Sequence, residues 1–458
     1  MLDTIEVDKR AVLLTVSLSS FLTPFASSSF NIALPSIAEE YSLSAISMTW
    51  ASLSYLLASA MFLIPFGKLA DIHGRKKVYL YGIIVFSVAS ALLAMHPTKN
   101  LIILYRALQG VGSAMIFGTG VAILVSAYTS QERGMVLGIN AATVYVGLSV
   151  GPFLGGFLTK AFGWRSIFVF NVLIGLVVVI TILTRLRNEW RDNQSIGFDL
   201  LGSVIYSITL LAIMYGMSSL PSPQAYPPIL VGACLFAAFL WIENRVETPV
   251  LDVRMFRENH AFTYSNIAAL INFAATYAMT FLLSMHLQYI KGLDPQEAGL
   301  IMIAAPVVQA FLSPIAGRLS DKIEPFKLAG IGMGVTAISL IPFIFVSEST
   351  SIAYIVASLG LLGIGLAFFS SPNTNAIMGS VDRTNYGVAS STIGTMRLTG
   401  QMLSMGIAMT IFALNLGTSE IVPVLYPNLL ASIRTSFVIF FIICLPGVAA
   451  SMIRSRAG

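Results

Sequence analysis

The sequence predicts an all-α polytopic membrane protein, and three observations carry that reading. Of its 458 residues 56% are hydrophobic and only 10% charged, whereas a soluble domain carries about 25% charged residues. So few polar groups cannot wet a globular surface, and lipid must serve as solvent. Apolar runs of about 20 residues, enough to cross a bilayer, recur fourteen times along the chain. Finally, spaced residues in the first half return about 250 positions later, for example Gly67 as Gly317.

The runs lie near 11–34, 48–69, 78–95, 101–127, 135–159, 166–184 and 199–218, then near 227–243, 262–290, 298–318, 327–346, 351–378, 386–416 and 431–452. They are too long and continuous for the strands of a closed barrel, the other spanning architecture. The first is expected to be an uncleaved span, because a signal peptide has a shorter apolar core and a cleavage site. Lys and Arg collect in alternate loops. If both termini are cytoplasmic, nineteen of the 26 basic residues fall on the inside, five outside and two, Arg106 and Arg397, within spans. That asymmetry orients the chain in the cell (inner) membrane. A formal charge of +5 spread through short loops excludes a nucleic-acid surface. Cys234 and Cys444 lie in apolar runs with no metal-ligand or redox spacing. No metal cluster, nucleophile constellation or phosphate loop stands out, so we expect no enzyme, cofactor or metal.

Gly67-Lys68-Leu69-Ala70-Asp71 after the second span returns as Gly317-Arg318-Leu319-Ser320-Asp321 after the tenth. Gly134 and Gly147 return as Gly387 and Gly400. The repeat requires spans 10 and 13 to match spans 2 and 5, so spans 7 and 8 are the surplus pair. The expected organisation is a six-helix bundle over 1–185, a two-helix insertion over 186–260 and a second six-helix bundle over 261–458. Duplicated halves around a central path are a common transporter architecture, since rocking one half on the other gives alternating access.

Six segments narrow this. The loop Gly67-Lys68-Leu69-Ala70-Asp71-Ile72-His73-Gly74-Arg75-Lys76-Lys77 sets a carboxylate four residues before an arginine, the spacing of helical neighbours. A basic stop-transfer loop would explain Lys76 and Lys77, but not the spaced Gly, Asp and Gly. Span 4 holds Arg106-Ala107-Leu108-Gln109-Gly110. An arginine within a span costs about 2.5–3.5 kcal/mol on insertion scales and marks function by default. An arginine snorkelling to the near interface is the alternative. Span 5 holds Gly147, Gly151, Pro152, Gly155 and Gly156. The glycine spacing gives a smooth packing face, and Pro152 removes a backbone hydrogen bond. Gly163-Trp164-Arg165 opens span 6, Phe198-Asp199-Leu200 opens span 7, and Pro249, Leu251, Asp252 and Phe256 follow span 8.

Together these resemble the major facilitator superfamily, and within it the fourteen-span drug:proton antiporters of the multidrug-resistance branch. The resemblance implies a 6+2+6 fold of two pseudo-symmetric bundles, a monomer, a small-molecule substrate and protons as coupling partners. It implies that Gly67, Asp71, Gly74 and Arg75 latch the cytoplasmic gate, with Asp321 as a weaker mirror latch. It implies a coupling role for Arg106, and export from the span-5 motif, although ordinary small-residue packing also accounts for that motif.

One departure matters. The branch carries a buried Asp seven residues before Ala33-Leu34-Pro35, and this chain has Ala26 there. The acidic residues fall in loops or at span ends, Asp199 and Glu243 lying nearest the membrane interior. His286 is a candidate titratable group, though an interfacial hydrogen-bonding role is the commoner one. The path is expected to offer Asn31, Arg106, Gln109, Gln309, Asn373 and Arg397, with Asn272, Asn375, Tyr145 and Tyr277. That chemistry suits a neutral or anionic amphipathic solute better than a dication. Arg397 is equally open to a structural role at the seam. Three readings remain: an alternating-access exporter, an uncoupled facilitator, and a sensor that kept the fold.

Overall fold

The computed structural model describes residues 8–95, 98–129, 132–186, 188–190, 199–246, 249, 251, 253–320, 322–381, 386–417 and 419–452. Among them are fourteen helices long and apolar enough to cross a membrane. These are α1 Lys9–Tyr41, α2 Ala45–His73, α3 Arg75–Ala94, α4 Lys99–Ala127, α5 Arg133–Phe162, α6 Arg165–Arg185 and α7 Leu200–Ser219. They continue as α8 Tyr226–Glu243, α9 His260–Ile290, α10 Pro295–Ser320, α11 Pro325–Ile344, α12 Ile352–Gly379, α13 Tyr386–Asn415 and α14 Tyr426–Met452. The expected run near each is present. Asp321, Phe198 and Asp252 lie outside the described residues.

Polar residues just ahead of the helices start them by accepting the unpaired first-turn amides. Asp8 accepts from Ala11, Ser44 from Ser47, Asp199 from Gly202, Asn259 from Phe262 and Ser351 from Tyr354. Asp294 and Glu297 form a reciprocal capping box at α10.

Two six-helix bundles result. In the first, α1 packs on α5 and α6, α2 on α4, and α3 on α4 and α6. In the second, α9 packs on α13 and α14, α10 on α12, and α11 on α12 and α14. The repeat is visible in the contacts: Gly147 lets α5 ride against the Phe21 carbonyl of α1, and Gly400 lets α13 ride against the Leu270 carbonyl of α9. The bundles meet along two seams related by the repeat, α2 with α13 and α5 with α10.

The surplus pair breaks this symmetry. Helices α7 and α8 pack on each other, and α7 also covers the α2–α13 seam. Ser207 donates to the Met61 carbonyl of α2 at 3.1 Å, and Thr410 of α13 donates to the Met217 carbonyl at 3.3 Å. Gly406 of α13 leaves room for Met214 and Met217.

Helix α1 is longer than the apolar run. The run ends near Leu34, whereas the helix continues through Pro24 and Pro35 to Tyr41. A proline inside a helix leaves the carbonyl four residues back without its donor, and for Pro35 that carbonyl is Asn31. The second bundle supplies the missing donor, as described next.

Candidate functional site

The face carrying Lys9 and Met452 is called the terminal face below, and the other the far face. Hydrogen bonds and an ion pair join the bundles at the far face and at mid-depth. Ser284 Oγ of α9 donates to the Asn31 carbonyl at 3.0 Å, and Gln288 Nε2 donates to the Ile32 carbonyl at 2.9 Å. Pro35 has freed the first of these acceptors. The Ala45 amide donates to the Ser419 carbonyl, with Ser44 bridged to Glu420. Lys160 pairs with Asp294 at 2.8 Å. Although burial raises it, Lys160 and the Gln296 and Glu297 amides hold the Asp294 carboxyl below its usual range.

The span-5 motif packs at this closure. Gly147, Gly151 and Gly155 face α1, where any Cβ would run into Phe21, Ser28 or Ser29. One residue on, Gly156 faces the other bundle, against the Pro295 carbonyl, and Gly299 of α10 sits against the Pro152 carbonyl. One helix therefore uses one glycine face to bind its own bundle and an adjacent glycine to seat the opposite one.

At mid-depth, Ser27 and Tyr277 share a hydrogen bond of 2.5 Å. They are separated by the 250-residue period of the repeat. The contact ties α1 of one bundle to α9 of the other. Beside it is a narrow slot of about 30 Å³, room for a water or two. Its walls include Thr23, Ser27, Tyr55, Ser113, Phe117, Tyr277, Arg397 and Gln401. A larger cavity of about 450 Å³ opens at the far face among Glu39, Gln288, Tyr289 and Glu420. It lies above the closure, whereas the slot is lined by both bundles at mid-depth, and the slot is the better candidate for solute contact.

The residues expected along the path separate into groups. Arg397 and Tyr277 line the slot. Asn31 is buried beside it, accepting from Ser52 at 2.8 Å. Arg106 does not snorkel: it is wholly buried, stacked between Phe30 and Tyr55 at 4.2 and 4.5 Å. It donates to Gln109 Oε1 at 2.5 Å and to the Ala51 carbonyl at 3.3 Å. Gln109 turns away from the slot, donating to Ser90 of α3. Asn373 likewise bonds inside its own bundle, to the Ser265 carbonyl at 3.1 Å. Polarity within a span could not separate these two from slot residues, because a helix buried on all sides offers polar side chains several partners. Gln309 is half-buried on α10, away from the slot lining. Asp199 and Glu243 converge on Gly202, where Asp199 caps α7 and Glu243 accepts the Leu251 amide.

At the terminal face, Arg75 Nε donates to Asp71 Oδ1 at 2.8 Å, and Arg75 also holds Ser126 of α4. The Arg75 amide donates to the Trp190 carbonyl and the Lys76 amide to Glu189. Between them Gly74 turns the chain at φ +110°, with Glu189 close enough to exclude a Cβ. In this conformation the cluster joins α2, α3, α4 and the segment after α6. Gly67 approaches the Gly118 carbonyl of α4.

The model of the Major Facilitator Superfamily matches residues 16–256 and 266–457. The chain belongs to this superfamily. It is therefore a membrane transporter with the alternating-access fold, and not an enzyme. The chain is 29% identical over 389 residues to the riboflavin transporter RibZ of Clostridioides difficile, covering 85% of each protein. It is also 29% identical over 385 residues to the multidrug efflux pump LfrA of Mycolicibacterium smegmatis, covering 83% of this chain and 76% of that one. The multidrug resistance protein Stp of Mycobacterium tuberculosis matches at 29% over 390 residues, 84% of this chain and 72% of its own. These relatives place the transporter with the superfamily's drug-efflux branch. Among solved structures, an inward-facing bacterial homologue of the lysosomal transporter Spinster superposes with TM-score 0.69 at 17% identity, over 97% of this chain and 96% of that one. A peptide transporter, POT, in complex with sulfate gives 0.70 at 15% identity, over 96% and 94%. Both likenesses concern the fold.

Proposed function

We propose that this transporter exports small amphipathic solutes from the cytoplasm by rocking its two bundles about the central slot. The observation that carries the reading is the asymmetric closure. The bonds joining the bundles gather at the far face, on carbonyls freed or flanked by Pro35 and on the Gly156–Gly299 contact. The excess of Lys and Arg in the loops of the terminal face supports a cytoplasmic position for both termini. The conformation is then closed outward and loads from inside. Asp71 and Arg75 serve the cytoplasmic gate, with Asp321 as its mirror. The efflux-pump names among the relatives, and the glycine–proline motif of α5, support export.

The test is transport in proteoliposomes loaded with a fluorescent amphipathic dye under an imposed proton gradient. Gradient-driven, concentrative movement in one direction is expected, and equilibration without any gradient dependence overturns active export. The second reading, an uncoupled facilitator, rests on Ala26, which is wholly buried where the branch carries its acid. Proton flux measured in the same vesicles separates the two, since a facilitator moves dye without moving protons.

A further inference from the structure

We infer that Arg397 is an anion-binding residue of the central slot, and that the solute is an amphipathic anion whose negative group docks there. The inference rests on the transporter reading and names its substrate class.

Arg397 projects from α13 into the slot, with its guanidinium 5.0 Å from the Phe117 ring of the opposite bundle. Among the described residues it makes no hydrogen bond and no ion pair. An arginine that merely ties helices together spends its five donors on carbonyls or carboxylates, as Arg165 does on Glu40 and Arg434 on the Val346 carbonyl. Arg397 instead offers its donors to the slot. The polar lining around it consists of Thr23, Ser27, Tyr55, Ser113, Tyr277 and Gln401, and it contains no carboxylate.

A second positive charge reinforces the first. Arg106 stacks on the ring of Tyr55, a residue of the slot wall. Its donors go to Gln109 and Ala51, so it contributes field and not contact. Two guanidinium groups, one lining the slot and one stacked on a tyrosine of its wall, with no carboxylate in the lining, repel a lipophilic cation. They attract an anion, whose charge would compensate a cation that is costly to hold away from water. A planar guanidinium also pairs with a carboxylate or phosphate through two parallel hydrogen bonds. The remaining walls, including Leu56, Phe117, Val144, Leu148 and Leu398, are apolar, and they would face the solute's body once the bundles part and widen the slot. At the far face the cavity carries Glu39 and Glu420, a negative mouth that disfavours recapture of a released anion.

The test compares an aromatic carboxylate, 1-naphthaleneacetate, with its uncharged amide and with the cation rhodamine 6G. Flux in proteoliposomes and thermal stabilisation in detergent are measured for the full chain, Arg397→Gln and Arg397→Lys. The carboxylate should stabilise the unmodified protein and be moved by it. Arg397→Gln should raise the half-saturating carboxylate concentration about 10- to 100-fold, the factor of a charged hydrogen bond, and leave the amide within about two-fold. Arg397→Lys should recover part of the loss. An equal loss for carboxylate and amide marks Arg397 as structural and overturns the inference, as does absence of stabilisation by the carboxylate. Movement of rhodamine 6G alone overturns the inference while leaving the transporter reading intact. Failure of all three probes to move or stabilise counts against both.

Discussion

Replacing Gly156 by alanine should open the far face. In the closed form a Cβ at this position would lie 2.9 Å from the Pro295 carbonyl carbon and closer to its oxygen, where ordinary contacts begin at 3.4 Å. Helices α5 and α10 must therefore part by at least about 0.5 Å, and neither neighbouring group can swing away because both are backbone. Overpacking of this kind costs about 1–3 kcal/mol. The contact exists only while the bundles are closed at this end, so the whole cost falls on that form. The equilibrium should move about 5- to 150-fold toward the far-open form. Spin labels at Phe162 and Val424, both exposed ends on opposite bundles, report the change after Cys234 and Cys444 are replaced. A longer distance should be populated in the purified protein. Gly147→Ala is the control: it crowds α1 within one bundle, so both forms suffer, the melting temperature falls and the distances hold. An unchanged distance distribution for a folded Gly156→Ala protein refutes the reasoning.

Asp71→Asn should abolish most transport while leaving membrane insertion intact, because it removes the charge facing Arg75 Nε; full-rate flux counts against the gate assignment. Gly74→Ala should destabilise the protein by about 1–3 kcal/mol, because φ +110° is strained for a residue with a side chain, read as a lower melting temperature. Asp294→Asn should loosen the far closure and be rescued in part by a charge exchange with Lys160, read by the same spin-label distances. Because the Asp294 carboxyl is held below its ordinary value of 3.8, its contribution is present above that pH and lost only as pH falls through the lower, folded value. External acidification from pH 7 to 5 should therefore leave this bridge in place.

Hydrophobic run length located all fourteen helices, because a bilayer demands that length whatever the tertiary contacts. The repeat offsets carried as far as the packing, since Gly147 and its mate Gly400 make the same close approach in the two bundles. Individual polar residues were less legible. Gln109 and Asn373 have the same side-chain amide chemistry as slot residues such as Gln401, and only helix rotation and the neighbouring side chains decide which way each points. The closure at Pro35 was half visible. The proline announces a carbonyl without a donor, but that Ser284 supplies one depends on how the two bundles dock. Arg106 shows the opposite limit: position along a span suggested an interface within reach, while Phe30 and Tyr55 hold the guanidinium inside.

The tie that α7 makes to both α2 and α13 has a consequence for how solute reaches the slot. When the bundles part toward the cytoplasm, each seam could become a doorway from the inner leaflet. On one side α7 hangs across the opening, fastened to Met61 on one jamb and to Thr410 on the other. Among the described residues, no helix covers the α5–α10 side in this way. If export proceeds as proposed, a membrane-dissolved amphiphile would enter between α5 and α10, and transport should then respond to the lipid composition there.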